Sequence, residues 1–260
     1  MSNTYWSDRV ADAQTAISNK TAKQIDKQLV KYYKRAAKQV INDFENVYLK
    51  TLEQVEQGKQ VTPALLYNLD SYWKMQGQLK QVLQELGDKE IKALSASFEI
   101  NFFEIYYSLD IEGSQAFSTI DKQAVQQMIN SIWCADGKSW SARVWENTEK
   151  LAETLNEELI NCVATGKKTS QLKKVLQERF NVSYSNADMI ARTELAHIQT
   201  QAANQRYKDY GIKEVQVWAD KDERRCEICG KLHKKKYPVG AALPIPAHPR
   251  CRCCIIPVVE

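Results

Sequence analysis

The 260 residues include 43% hydrophobic and 26% charged side chains, a soluble-globular balance with room for one or two domains. No run approaches the roughly 18 apolar residues of a membrane span, and Met1–Arg9 lacks the apolar core of a secretory signal. This excludes a membrane partner and predicts synthesis in a cytosol-like compartment. The net charge of +4 is unevenly placed. Residues 221–260 hold nine Lys/Arg against four Asp/Glu, whereas the rest holds 27 against 28, so attraction for a polyanion is expected in the tail.

Residues 7–210 contain one proline, Pro63, and read as successive helices. Ser7 or Asp8 can cap a first helix, whose apolar positions (Val10, Ile17, Ile25, Leu29, Tyr33, Val40, Phe44, Val47) recur at helical steps as far as Gly58. An unbroken helix of that span would be roughly 70 Å long, so an elongated arm or stalk is expected. Thr62-Pro63 opens a helix to about Leu86. Gly87-Asp88 is read as its end and as the cap of the next helix, which carries Phe98, Phe102, Phe103, Tyr106 and Tyr107. Asp121 caps a short helix ending near Trp133. Another helix runs from Trp140 to about Thr165. Thr169 or Ser170 caps one to Phe180, and Ser183 or Ser185 caps a last one to Tyr210, closed by Gly211.

The period then changes. Ile212–Trp218 alternates by two and is β-branched, which predicts a strand. Five of the six prolines lie at or after Pro238, so the tail is loops and short strands, with Cys253–Val259 returning beside Val215–Trp218. The predicted fold is mainly α. An elongated multi-helix N-terminal and central region carries a small C-terminal β/loop lobe. The expected division is a helical arm, 1–134, and a second domain, 135–260.

Five of the seven cysteines and two of the three histidines fall in the last forty residues. Cys226-Xaa-Xaa-Cys229 and His248-Xaa-Xaa-Cys251 are two half-sites with the spacing of tetrahedral Zn²⁺ ligands, and Cys253 is an alternative to Cys251. Cys254 would point the opposite way on a strand. Four protein ligands make a closed, architectural site that staples a segment poor in apolar residues.

The remaining candidates read mostly as structure. His233 lies in a basic turn with Lys234, Lys235 and Lys236; these lysines, with Arg224 and Arg225, are the candidates for polyanion contact. Glu194 and His197 share a helix face, whereas Arg192 and Glu194, two apart, do not; Glu194 is expected to orient His197 or anchor backbone, and Arg192 to brace another element. Gly137-Lys138-Ser139 lacks the earlier glycine and preceding strand of a phosphate loop. Trp133, Trp140, Trp145 and the 98–107 aromatics are expected in packing. No catalytic centre emerges, so no enzyme is predicted.

Together, Gly137–Trp145, Ile190-Ala191-Arg192-Thr193-Glu194-Leu195-Ala196, Val217-Trp218, Asp220/Asp222, Cys226-Xaa-Xaa-Cys229 and His248-Pro249-Xaa-Cys251-Arg252-Cys253 resemble the phage Mu F-like minor head proteins, also called phage head morphogenesis proteins. The resemblance covers about residues 135–258. His233 departs from it, standing where a glycine is expected. The resemblance gives Arg192, Glu194, Trp218 and Asp222 structural roles. It implies a minor capsid protein of a tailed phage, found in the virion and, during assembly, in the host cytoplasm. Its partners would be the portal protein and capsid or scaffold proteins, with non-specific DNA contact. The alternatives are a zinc-knuckle nuclease, which would need a general-base histidine, and a nucleic-acid-binding regulator.

Overall fold

The computed structural model describes residues 3–60, 62–109, 119–219 and 225–258. In chain order the helices are α1 (Asn3–Glu56), α2 (Pro63–Tyr67), α3 (Asp70–Ser108), α4 (Lys122–Ile129), α5 (Trp140–Ala164) and α6 (Thr169–Asp209). Strand β1 (Glu214–Trp218), helix α7 (Glu227–Leu232), and strands β2 (Lys236–Pro238) and β3 (Cys254–Pro257) follow. The mainly α fold with a small C-terminal sheet is as expected.

α1 is one unbroken helix of 54 residues, roughly 80 Å long at 1.5 Å per residue. Its stripe of Ile25, Leu29, Tyr33, Val40, Phe44 and Val47 is buried. Complete burial of a side chain such as Leu29 or Phe44 contributes about 2 to 3 kcal/mol each. Asp121 caps α4 as expected, its Oδ2 accepting from Ala124 N at 3.2 Å.

Four expected boundaries differ, the first being the end of α4, at Ile129 rather than near Trp133. The helix opened by Pro63 stops at Tyr67, where the Asn68 N–H closes on the Ala64 carbonyl and the Leu69 N–H on the Leu66 carbonyl, and α3 starts afresh at Asp70. α3 then runs straight through Gly87. A Cβ there would run into the Trp145 ring, so the glycine admits an indole from α5. Its propensity cost of about 1 kcal/mol is offset by that packing. α6 likewise continues through Ser183 and Ser185. Ser183 is buried and its carbonyl accepts from Asn147 Nδ2 at 2.9 Å, so tertiary contacts override a serine-rich stretch that favours a cap.

The chain forms two compact units. The first holds residues 1–26, 93–140 and 189–260; the second holds 27–92 and 141–188. Each takes segments from both sides of residue 134. Long helices make this possible, because one helix can supply turns to two cores.

In the first unit, β1 is central in the order β2-β1-β3, antiparallel to both neighbours. The register sets Val215 opposite Pro257 and Trp218 opposite Cys254, the return strand predicted from the sequence. Gly211, at φ 71, turns the chain out of α6 into β1, a left-handed conformation that glycine adopts without penalty. The first turns of α1 cover the sheet. Ala11 packs with Trp218, Cys254 and Ile256, and Gln14 Nε2 donates to the Ile255 carbonyl at 2.9 Å.

The second unit encloses a carboxyl group. Glu90 is fully buried. Its Oε2 accepts from the Tyr33 hydroxyl at 3.1 Å, which in turn accepts from Asn147 Nδ2 at 3.1 Å. Burial raises the Glu90 pKa to about 7, and the Tyr33 hydrogen bond only partly opposes it. Because the folded pKa lies above the unfolded one, native stability is fullest below about pH 4.5 and falls as pH rises to about 7. Glu90→Gln is therefore expected to stabilise the protein at pH 8 by up to about 3 kcal/mol, an advantage that vanishes near pH 4.5. Urea midpoints across that range check it; a pH-independent difference would refute it.

Candidate metal centre

The first half-site is built at the start of α7. Cys226 is its N-cap, and its Sγ accepts from Cys229 N at 3.3 Å, so one turn presents both sulfurs on one side. The Gly230 and His233 N–H groups close on the Cys226 and Cys229 carbonyls. The second half-site is a tight turn in which Cys251 N donates to the His248 carbonyl at 3.1 Å, with Arg250 at φ 59. His248 Nδ1 donates to the Pro249 carbonyl at 2.8 Å, which leaves the Nε2 lone pair for a ligand.

That Nε2 lies 3.1 Å from Cys229 Sγ, and Cys251 Sγ lies 3.8 Å from the same sulfur. Two overlapping groups can hold a metal ion, Cys226–Cys229–His248 and Cys229–Cys251–Cys253, the ligand atoms of each within 4.8 Å of one another. Cys229 belongs to both. All four primary candidates and the alternative, Cys253, thus meet in one cluster. Cys254 turns away, its Sγ directed at the Trp218 carbonyl.

The donor set fits a tetrahedral, thiophilic cation. With Zn–S bonds of about 2.3 Å, a regular tetrahedron has S···S edges of about 3.8 Å, the Cys229–Cys251 separation. The Cys229–His248 edge is shorter than the roughly 3.6 Å of an ideal S···N edge, so the imidazole would move outward on ligation. The Cys251 thiol is lowered to about 5, chiefly by the hydrogen bond from Cys253, whereas burial pushes Cys229 up to about 12. A thiolate is thus favoured within the cluster, which makes it attractive to cations.

The cluster also explains the local fold. Within 225–253 the buried residues are Cys229, Ile245, Cys251 and Cys253, so almost nothing apolar organises this segment except its sulfurs. The sheet holds it from one side. His233 Nδ1 accepts from Ala219 N at 3.2 Å, and its ring stands edge-on to Trp218 at 4.7 Å. The basic turn is therefore an anchor for the lobe. Lys234, at φ 66, takes the left-handed position next to it. Trp218 in turn donates from Nε1 to Asp8 Oδ1 at 3.2 Å.

α6 holds it from the other side. The Thr193 hydroxyl donates to the Met189 carbonyl at 2.7 Å and accepts from Arg250 N at 3.0 Å, between the two ligands of the second half-site. Spacing gave no hint of this contact, because its partners are 57 residues apart. Glu194 is buried and accepts from Trp133 Nε1 at 2.9 Å; the Trp133 ring stacks on His197 at 4.4 Å. Arg192 is half-buried on the same helix. Asp222 and Arg224 lie outside the described residues.

Thr193→Val keeps the volume and removes the acceptor. It is expected to speed limited proteolysis within 240–253 and to cost about 1 kcal/mol or less in global unfolding, with Thr193→Ser restoring protection. Equal cleavage of wild type and Val variant would remove the latch.

Residues 153–256 match the family model described as Phage Mu protein F like protein. The chain is also 28% identical, over 196 residues, to NAD(+)–arginine ADP-ribosyltransferase EFV of Enterococcus faecalis. That alignment covers 66% of this chain but only 39% of the relative's length. No solved structure matches. The matched segment runs from the middle of α5 to β3 and contains every residue of the cluster, and the matching family is the one the sequence pattern resembles.

Proposed function

We propose that the protein is a minor head protein of a tailed phage that acts in head morphogenesis at the portal vertex. The observation that carries this reading is the family match over residues 153–256, which takes in the Arg192–Glu194 helix, β1 and both half-sites. Its partners are the portal and other capsid or scaffold proteins. It resides in the virion and, during assembly, in the host cytoplasm. The resident metal is a structural Zn²⁺, held by Cys226, Cys229, His248 and Cys251, with Cys253 as the alternative to Cys251. A closed site of this kind ties two loops together and leaves no open position for substrate.

The role is architectural, without catalysis. Three engaged histidines support this: His248 faces Cys229, His233 accepts from Ala219, and His197 is buried against Trp133 with its pKa lowered to about 4 by desolvation. A nuclease would need one of them as general base. The relative named for ADP-ribosyl transfer extends far beyond the matched region. Glu194 is buried and held by the Trp133 indole. Purified chain given NAD⁺ and an arginine-bearing acceptor is expected to transfer no ADP-ribose.

Mass spectrometry of purified procapsids and virions tests the assignment. The chain is expected beside the portal protein, and its absence from both particles would sink the head role. Elemental analysis is expected to give about one zinc per chain. Cys229→Ser should lose the metal and loosen residues 225–258 while sparing the helices; full zinc retention would refute the ligand set.

A further inference from the structure

Part of the cationic charge of the tail is already engaged. Lys231 pairs with Glu227 at 2.6 Å, Lys236 approaches Glu214 at 4.0 Å, and Lys234 Nζ lies 5.7 Å from the Trp218 ring centroid. The second unit differs. Lys27, Lys31, Lys34 and Lys38 recur on α1 at steps of four, three and four, and all four are exposed. At 3.6 residues per turn they fall within an arc of about 60° and span about 16 Å of axis. None has an ion-pair partner among the described residues.

Beside this stripe runs a groove of about 770 Å³. Lys34, Arg35, Lys38, Gln39 and Asn42 line it from α1, and Lys173 and Gln177 line it from α6. Its one carboxylate, Glu45, is bound to Lys173 at 2.6 Å. The neighbouring Glu85 is bonded to Lys89 at 3.1 Å. Ile41 is the only apolar lining residue.

We propose that this groove binds the phosphodiester backbone of double-stranded DNA. A protein partner would need a cluster of apolar or aromatic anchors, and the lining offers Ile41 alone. Phosphates need Lys and Arg with amide donors beside them, the inventory present here. About 16 Å of duplex offers on the order of ten phosphates to a stripe of four or five cations. No residue reads base edges, so binding is independent of sequence. The proposal goes beyond the head role and is tested apart from it, because duplex binding by the isolated full chain does not depend on incorporation into particles.

The experiment is anisotropy of a short labelled duplex of mixed sequence, titrated with purified full-length protein between about 50 and 200 mM salt. The variant Lys31→Gln/Lys34→Gln/Lys38→Gln is expected to flatten the log K against log salt slope by about 2.7 and to weaken binding at least about tenfold at the lowest salt. Lys234→Gln/Lys235→Gln/Lys236→Gln is expected to keep the wild-type slope. Glu45→Gln releases Lys173 and should tighten binding a few-fold, a gain that unfolding cannot imitate. An unchanged slope in the α1 variant, loss confined to the tail variant, no gain from Glu45→Gln, or no binding of duplex by wild type would each overturn the assignment.

Discussion

The carboxy-terminal lobe depends on one sulfur atom. Cys229 Sγ is the point at which the turn at the start of α7 meets the His248–Cys251 turn, 3.1 Å from an imidazole nitrogen and 3.8 Å from a second sulfur. The other buried residues between 225 and 253 are Cys251, Cys253 and Ile245. A segment of that length normally loses far more conformational entropy on folding than one buried isoleucine can return. Convergent soft donors supply what an apolar core does not, provided a cation neutralises them.

The lobe is nevertheless not self-contained. β1 is its floor, and the N-terminal turns of α1 cover β1 and β3 through Ala11, Gln14 and the Asp8–Trp218 hydrogen bond. Opposite, Thr193 holds the Arg250 backbone. The Arg-Thr-Glu stretch thus divides its labour by helix geometry. Thr193 faces the His248–Cys251 turn, and Glu194, about 100° around the helix, receives the Trp133 indole. Two consecutive residues of this stretch thus join the helix to two loops.

What was legible in the sequence was local. Both half-sites, the Asp121 cap, the pairing of β3 with β1 and the opposite aim of Cys254 follow from spacings of a few residues. What was not legible depends on partners far along the chain. Gly87 reads as a helix end unless Trp145 is known to lie above it. Ser183 reads as a cap unless Asn147 is known to reach its carbonyl. The Thr193–Arg250 and Asp8–Trp218 contacts have no local signature at all. The interleaving of the two units has the same origin, since periodicity shows that a helix has an apolar face but not which neighbours cover it.

Charge follows the same logic with one difference. Summed by segment, the basic excess sits in the tail, because acids elsewhere on α1, α3 and α5 cancel the lysines of the helical part. Phosphates respond to local potential, which depends on where cations point and whether a carboxylate already holds them. In the tail, Lys231 and Lys236 face Glu227 and Glu214, while Lys234 lies beside an indole. On α1, the 3.6-residue period lines up four lysines whose acidic neighbours, Glu45 and Glu85, are already engaged by Lys173 and Lys89. A modest net charge can therefore coexist with a strongly cationic strip, and geometry rather than composition decides where an anion would settle.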